Sequence, residues 1–285
     1  MDEKDIENYK KVQKISNEVL KYAKSLKFEN LTALQVAETI EDLIIKNKAS
    51  PAWPVNVCIN DVAAHFSPVD DRIKINPGDL VKVDIGVHID GYIWDQAFSV
   101  CVSKDKHPLI DAAEKALQEA VKTVKSGIKV CEISEVIDQV VAESGFRPIR
   151  NLTGHGIDRY VIHAPPSIPN VKNGITDKIE HQPIAIEVFV TDGSGWVKES
   201  GEANIYRFNA DRPVRMWEAR KILEISKTRF NGLPFSPRWI KNVSLLKLDM
   251  AIHQLLELEA IASYPVLKEE SGHQVAVAET TILVD

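Results

Sequence analysis

The chain has 285 residues, of which 44% are hydrophobic, and carries 35 basic against 41 acidic side chains, a formal charge of −6. This length suffices for one large domain or two small ones, and the mild acidity gives no reason to expect general affinity for nucleic acids or membranes. Three widely spaced cysteines, Cys58, Cys101 and Cys131, fit neither a disulfide framework nor a thiolate zinc site, so a reducing cytoplasm is expected. No apolar stretch is long enough to span a bilayer, and the charged N-terminus does not resemble a signal peptide.

Two helices are predicted in the N-terminal part of the chain. Apolar residues recur at three- and four-residue steps from Ile6 to Tyr22, which indicates a helix with one buried face. Thr32 and Gln35 have the spacing of a capping box, and apolar positions up to Ile44 continue a second helix from it.

A β-hairpin is predicted next. The segment 51–60 is rich in proline and asparagine and too irregular for a helix. Apolar residues then alternate from Val81 to Ile89 with the period of a strand, and Asp90-Gly91 is a two-residue hairpin signal. Residues 92–101 are therefore expected to return as the partner strand.

The second half of the chain repeats this order in outline. Helices are predicted over 108–125 and 133–144, followed by a segment around 151–169 and an alternating strand over 183–190. A final alternating strand covers 274–284. Two helix-helix-strand halves favour an α+β fold with internal pseudo-symmetry.

Helical periodicity replaces this pattern between residues 208 and 266. Apolar residues recur at helical spacing from Met216 to Leu223 and from Leu245 to Leu255. We therefore predict a helical insertion between two strands of one sheet. The predicted domains are a catalytic domain formed by 1–207 with 267–285, and an insertion subdomain formed by 208–266.

The hairpin brings two carboxylates together. With Asp90-Gly91 as the turn, Gly86 faces Asp95, so Asp84 and Asp95 lie on the same side of the sheet as diagonal neighbours. Burial of an unpaired carboxylate is costly, so such residues are expected to be paired, protonated or bound to a metal ion. From the hairpin alone, two carboxylates that simply face solvent are an equal alternative.

Two further acids favour a metal site. Glu187 interrupts PIAIEVFV and Glu279 interrupts QVAVAETTILV, each as the single charge of an apolar strand. A lone buried glutamate is often structural, but four carboxylates with an imidazole suit a hydrolytic site that holds two divalent cations. His155, in NLTGHGI, is the natural nitrogen donor.

These residues in this order resemble the pita-bread metallopeptidases. The matching stretches are INDVAAHFSP, VDIGVHIDGYIWDQAF, NLTGHGIDRYVIHA, IAIEVFVTDGSG and VAETT, and the resemblance covers essentially the whole chain. It implies a pseudo-symmetric pita-bread fold with a curved, mainly antiparallel sheet covered by helices. It also implies two divalent ions (Co, Mn, Fe or Zn) at five ligand positions: Asp84, Asp95, His155, Glu187 and Glu279.

Within this group the chain is similar to type 2 methionine aminopeptidases, which remove the initiator methionine from nascent proteins with a small second residue. The two glutamates are 279 − 187 = 92 residues apart, an interval that type 2 enzymes fill with a helical subdomain and that is short in type 1 enzymes. Prolidase-like enzymes carry an additional N-terminal domain, for which there is no room before His65. Without an N-terminal extension, the chain resembles the archaeal form.

The resemblance also implies roles for individual side chains. A hydroxide shared by the two metals would attack the carbonyl after the first residue, and Glu187 would pass a proton to the leaving amine. His65 and His163 would hydrogen-bond the scissile carbonyl and the next peptide nitrogen. Three residues would wall an apolar pocket for the methionine side chain: Trp53, Ile162 and Tyr264.

Four positions depart from the family pattern: Trp53, Trp94, Gln96 and Thr280. None is an expected metal ligand, but changes beside ligands shift metal affinity and activity by about 10–100-fold. Two alternative functions follow. One is a catalytically weak pita-bread protein that acts as a ribosome- or nucleic-acid-binding factor, and the other is a prolidase-like peptidase.

The expected partners are nascent polypeptide N-termini, and the expected state is a monomer in the cytoplasm that does not bind membranes. Residues 211–242 carry eight basic against three acidic side chains, so a transient ribosome contact is a further hypothesis. A solvated helix face is the simpler explanation of this charge.

Overall fold

Helices and groups of strands are interspersed along the chain in the computed structural model, which describes residues 1–104 and 106–284. In this described part the α-helices are α1 (Glu3–Lys24), α2 (Ala33–Lys46), α3 (Pro108–Thr123), α4 (Val130–Glu143), α5 (Trp217–Thr228) and α6 (Leu245–Glu257). The strands are β1 (Ser50–Pro51), β2 (Asn56–Ile59), β3 (Val62–Ala64), β4 (Leu80–Ile89), β5 (Tyr92–Cys101), β6 (Ile128–Lys129), β7 (Arg147–Pro148), β8 (Thr153–Asp158), β9 (Val161–Pro169), β10 (Lys178–Ile179), β11 (Gln182–Thr191), β12 (Val197–Glu199), β13 (Ile205–Phe208), β14 (Ile261–Tyr264), β15 (Leu267–Glu269) and β16 (Val275–Val284). A single 3-10 turn of the described residues covers Pro237–Trp239.

The main sheet has the strand order β1-β4-β5-β16-β11-β8-β9, with β2 beside β4 and β7 beside β11. Its pairings are antiparallel. The β4–β5 hairpin turns at Asp90 and Gly91, whose φ angles of 50° and 86° lie in the left-handed region that a two-residue hairpin turn requires. The predicted α+β class with a mainly antiparallel sheet and covering helices is confirmed.

Helices cover one face of this sheet. Val83 and Ile85 of β4 belong to an apolar core with α1 and α2, and the residues on either side of Glu187 in β11 belong to a core with α3 and α4. Side chains alternate along a strand, so Asp84 and Glu187 emerge on the face away from the helices. The alternation in the sequence therefore decides which side chains are available for a site.

Some predicted element ends are wrong. α3 ends at Thr123 rather than at 125, and α4 begins at Val130 rather than at 133 because β6 runs directly into it. The predicted buried face of the first helix does not reach Tyr22, which is 43% exposed. The described segment 51–60, predicted to be too irregular for a helix, contains no helix and includes β2, which pairs with β4.

Residues 208–266 contain α5 and α6, which share an apolar cluster of their own. The segment is closed by β13 and β14, which pair antiparallel with Ile205 opposite Tyr264. Leu245 was expected on the buried face of α6 but is 84% exposed, because it begins the helix outside this cluster. The division of the chain into two domains stays a prediction. Residue 285, the last residue of the predicted catalytic domain, lies outside the described residues.

None of the helices in residues 1–104 and 106–284 combines the length and apolar character needed to cross a membrane.

Candidate metal centre

Five neighbouring strands of the main sheet each contribute one of the expected metal ligands. In sheet order they are Asp84 on β4, Asp95 on β5, Glu279 on β16, Glu187 on β11 and His155 on β8. Residues as far apart in the sequence as Asp84 and Glu279 thus meet on one face, because their strands lie within five consecutive strands of the sheet.

The strand register aligns these side chains. Gly86 pairs with Asp95 and Asp84 pairs with Ala97, which confirms the register predicted for the hairpin. Ala97 also pairs with Glu279, which in turn pairs with Glu187. Three carboxylates therefore stand in one line across the sheet, and the methyl group of Ala97 between them takes up little space.

Three of the expected ligands converge closely enough for a single ion. One ligand atom each of Asp95, His155 and Glu279 lies within 4.8 Å of the others, and all three residues are buried. The Nε2 atom of His155 lies 3.6 Å from Oδ2 of Asp95, beyond hydrogen-bond distance. The gap between these atoms is suited to a cation that both would contact.

Burial makes it costly to charge all four carboxylates together. Burial raises the pKa of Asp84 to about 7, although a hydrogen bond from Trp53 opposes this shift. Burial, and then the repulsion among the carboxylates, raise the pKa of Asp95, Glu187 and Glu279 well above the usual range. A compensating positive charge would allow all four to ionise.

The donor set fits divalent metal ions. Oδ1 of Asp95 and Oε1 of Glu279 are buried and have no hydrogen-bond partner among the described residues. Nδ1 of His155 lies 3.1 Å from the carbonyl oxygen of Gly156, so this nitrogen carries the proton and donates it. Burial and the neighbouring His163 lower the pKa of His155 to about 4, so the ring is neutral and its Nε2 lone pair is free for a metal.

The two remaining histidines of the predicted site lie beside this cluster. Burial, then the charge of His163, lower the pKa of His65 to about 4, and its Nδ1 lies 3.3 Å from the carbonyl oxygen of Pro265. The His163 ring meets that of His155 edge to face at 4.7 Å, and burial lowers its pKa as well. Both rings are therefore neutral near pH 7.

All ten sequence-predicted site residues line one cavity of about 70 Å³. They are Trp53, His65, Asp84, Asp95, His155, Ile162, His163, Glu187, Tyr264 and Glu279. The structure thus brings together the expected ligands, the two histidines and the three expected pocket walls, while the role of each residue stays a prediction.

The same cavity has walls that sequence reasoning missed: Asn56, Ala64, Leu152, Phe189, Ile205 and Pro234. Asn56 pairs with Asp84 across β2 and β4, and its Nδ2 donates to the carbonyl oxygen of Pro54 at 2.8 Å. Its buried Oδ1 has no partner among the described residues. No sequence pattern points to Asn56, because the pairing of β2 with β4 joins segments that no local pattern connects.

Three of the residues that depart from the family pattern face away from the cavity. Trp94 packs in the core with α1 and α2. Gln96 accepts a hydrogen bond from the Ser16 hydroxyl of α1 at 2.8 Å, and Thr280 pairs with Gln96 in register. The fourth departure, Trp53, is the one that lines the cavity.

Sequence comparison decides the family. Residues 7–210 match the model of "Metallopeptidase family M24". The chain is also 38% identical over 288 residues to a methionine aminopeptidase from Methanothermobacter thermautotrophicus, covering 99% of this chain and 96% of that protein. The chain belongs to the methionine aminopeptidases of metallopeptidase family M24. The expected family and the expected metallo-exopeptidase class are thereby confirmed.

Solved structures with lower identity share the fold. A thermophilic Arx1 superposes with a TM-score of 0.85 at 19% identity, covering 99% of this chain and 88% of that chain. A methionine aminopeptidase from Thermotoga maritima superposes with a TM-score of 0.73 at 21% identity, covering 100% of this chain and 94% of that chain. The fold is the pita-bread fold of this family, as the sequence predicted.

Proposed function

We propose that the enzyme removes the N-terminal methionine from newly made proteins whose second residue is small. The observation that carries this proposal is the cluster of two buried and two half-buried carboxylates with a neutral imidazole, in which two carboxylate oxygens have no partner among the described residues. Trp53, Ile162 and Tyr264 offer the apolar walls that suit a flexible thioether side chain.

Two divalent ions, chosen from Co, Mn, Fe and Zn, are the proposed cofactors. The residues that would hold them are Asp84, Asp95, His155, Glu187 and Glu279. Four carboxylates balance the charge of two such ions, and oxygen donors with an imidazole suit this group of metals. When bound, the ions would polarise the scissile carbonyl and activate water for hydrolysis.

Glu187 is the proposed carrier of the proton that reaches the leaving amine. Its carboxyl lies in the cavity beside the residues that would hold the ions, where it can accept a proton and pass it on.

The two histidines would bind the substrate peptide in different ways. Nδ1 of His65 can only donate to the Pro265 carbonyl oxygen, so Nε2 of the neutral ring is an acceptor. We therefore assign His65 to the peptide N–H that follows the scissile bond. His163 is then the proposed donor to the scissile carbonyl oxygen, whose negative charge grows during attack.

We propose the type 2 subtype and its archaeal form. The 92-residue interval between Glu187 and Glu279 contains α5 and α6. The relative from Methanothermobacter thermautotrophicus aligns over 99% of this chain, so it has a segment of similar length. The match to the family model ends at residue 210, which supports 208–266 as a separate insertion.

The proposed partners are nascent polypeptide N-termini, met by a monomer in the cytoplasm. A transient ribosome contact through residues 211–242 is part of this proposal, but with fewer cations than the sequence suggested. The Arg238 side chain is only 8% exposed and pairs with Glu41, so it cannot contribute to an exposed basic face. Lys227 pairs with Asp211 at 2.6 Å.

Methionine release after metal removal tests the proposed function. The protein is stripped with a chelator, divalent metals are added one at a time, and free methionine is followed from Met-Gly and Met-Ala peptides. Metal-dependent release that excludes Met-Lys peptides and disappears in Glu187→Ala is the expected result.

Other outcomes would redirect the proposal. Cleavage of Xaa-Pro peptides instead would move the enzyme to a prolidase-like specificity. Metal binding without release of any amino acid would favour the binding-factor alternative.

A further inference from the structure

Trp53 makes a polar contact that its expected role as an apolar wall does not require. Its indole Nε1 donates a hydrogen bond to Oδ1 of Asp84 at 3.2 Å. The residue is 6% exposed and lies in the catalytic cavity beside the proposed ligands. Indole is a donor only, so this contact requires an acceptor such as a carboxylate oxygen.

Gly86 provides the space that this indole occupies. A Cβ atom at Gly86 would lie 2.4–2.5 Å from Cη2, Cζ3 and Cε3 of Trp53, well inside van der Waals contact. Gly86 is paired in regular register within β4, and its φ is not in the left-handed region, so the strand conformation alone does not call for glycine. The missing side chain therefore serves the tryptophan ring.

Neighbouring segments hold the ring in this place. The N–H of Ala52 donates to the carbonyl oxygen of Gly86 at 2.9 Å, which fixes the chain next to Trp53 against β4. Ile157 and Leu233 belong to the apolar cluster that contains Trp53. This packing confines the ring with its N–H directed at Asp84.

We propose that Trp53 is a positioning residue that orients the Asp84 carboxylate for a divalent cation. The indole N–H occupies Oδ1 and leaves Oδ2 free to bind the ion. This inference rests on the proposed role of Asp84 as a metal ligand. A wall made only of apolar atoms would work equally well with phenylalanine, whereas an orienting donor would not.

Metal affinity of Trp53→Phe tests the inference without relying on activity. Mn²⁺ is titrated calorimetrically into chelator-stripped protein, and the dissociation constants are compared with those of the wild type. Of the two proposed ions, we expect the variant to bind the one with the higher affinity about 10–100-fold more weakly. This is the range found when a residue that hydrogen-bonds a metal ligand is removed. Affinity equal to the wild type, with only a raised KM for peptides, would leave Trp53 as a wall and overturn the inference.

Trp94→Phe is the matched control. Trp94 is 1% exposed and adjacent to Asp95 in sequence, but its Nε1 has no hydrogen-bond partner among the described residues. The same chemical change at this position is expected to leave the metal dissociation constants within about 2-fold of the wild type. An equal loss of affinity in both variants would attribute the effect to general packing and reject the positioning role.

Gly86→Ala should break the same hydrogen bond between Trp53 and Asp84, because the added methyl group would displace the indole ring. If Trp53→Phe does not fold, weaker metal binding by Gly86→Ala with an unchanged melting temperature supports the inference, and unchanged binding rejects it. If both fold, the double variant should bind no more weakly than Trp53→Phe alone, because both changes break one contact. Additive losses would contradict this.

Measurements on the wild type distinguish failure of the proposed function from failure of the proposed role of Trp53. Failure of the wild type to bind Co²⁺, Mn²⁺, Fe²⁺ or Zn²⁺, or to release methionine with any of them, would refute the proposed function. Normal wild-type binding with normal Trp53→Phe binding would refute only the role of Trp53.

Discussion

Two buried glutamates on neighbouring parts of the chain have opposite electrostatic surroundings. Glu269 is 1% exposed and Glu279 is 4% exposed. The Glu269 carboxylate accepts hydrogen bonds from the backbone and hydroxyl groups of Ser194 and Ser271 and from the backbone of His273. Glu279 has one oxygen without any partner among the described residues and lies among three other carboxylates.

The pKa values follow this difference. Burial alone would raise the pKa of Glu269, but the hydrogen bonds from Ser271, Ser194 and His273 lower it to about 2. Burial and the neighbouring acids raise the pKa of Glu279 well above the usual range. A buried acid that is surrounded by donors stabilises the fold, whereas a buried acid without donors is available to a cation. Burial by itself therefore does not identify a metal ligand.

The substitution Glu279→Gln should have the largest effect on function. Because it removes a proposed metal ligand, we expect methionine release and metal affinity to fall by at least about 100-fold, the upper range for residues that only support ligands. The metal-free protein should not lose stability, since the change removes a carboxylate that its neighbours repel. Activity assays, calorimetry and melting curves in chelator measure these effects. Retention of most activity would remove Glu279 from the proposed site.

The same substitution at Glu269 should affect stability instead. A pKa lowered from 4.5 to about 2 corresponds to roughly 3 kcal/mol, so Glu269→Gln is expected to reduce the free energy of unfolding by about that amount at neutral pH. Metal affinity of the folded protein should be unchanged. Urea denaturation and metal titration together check both expectations. A Glu269→Gln variant with full stability but weaker metal binding would contradict them.

The pH dependence provides the control for Glu269. Its pKa is lowered on folding, so its stabilisation is complete above the unfolded value of 4.5 and disappears as the pH falls toward about 2. The difference in unfolding free energy between wild type and Glu269→Gln should therefore shrink over this pH interval. A difference that stays constant between pH 7 and pH 3 would contradict the assignment.

The smallest expected effect comes from Gly193→Ala. A Cβ atom there would lie 2.5 Å from the Glu269 carboxyl carbon, so the carboxylate must shift away from its donors, at a cost of about 1–3 kcal/mol. Gly174→Ala is the control, since no described atom lies within 4 Å of its added Cβ. Urea denaturation of both variants at neutral pH measures the difference. Equal stability would mean that the Glu269 network adapts without cost.

Much of the metal centre could be predicted because it follows from local patterns. The turn at Asp90-Gly91 fixes the hairpin register, and this register alone puts Asp84 and Asp95 on one face. Alternation within single strands also marks Glu187 and Glu279 as acids among apolar residues. The grouping of the five ligand positions in one site, by contrast, required the family resemblance, because pairing between distant strands leaves no local signal.

Other features were missed because they depend on contacts between distant segments. Nothing near Glu269 in the sequence reveals its Ser194 donors, which are 75 residues away. The exposure of Leu245 was mispredicted because helical spacing does not reveal where the neighbouring cluster ends.

The sequence by itself determined the alternating strands, the hairpin turn and the acids that interrupt apolar runs, because side-chain alternation and turn geometry act over a few residues. Only the tertiary structure decided which buried acids have donors and which do not. It also decided that Gly86 leaves room for Trp53 and that Trp53 reaches Asp84. The physical reason is that the pKa of a buried carboxyl depends on groups within a few ångströms, and folding brings those groups from distant parts of the chain.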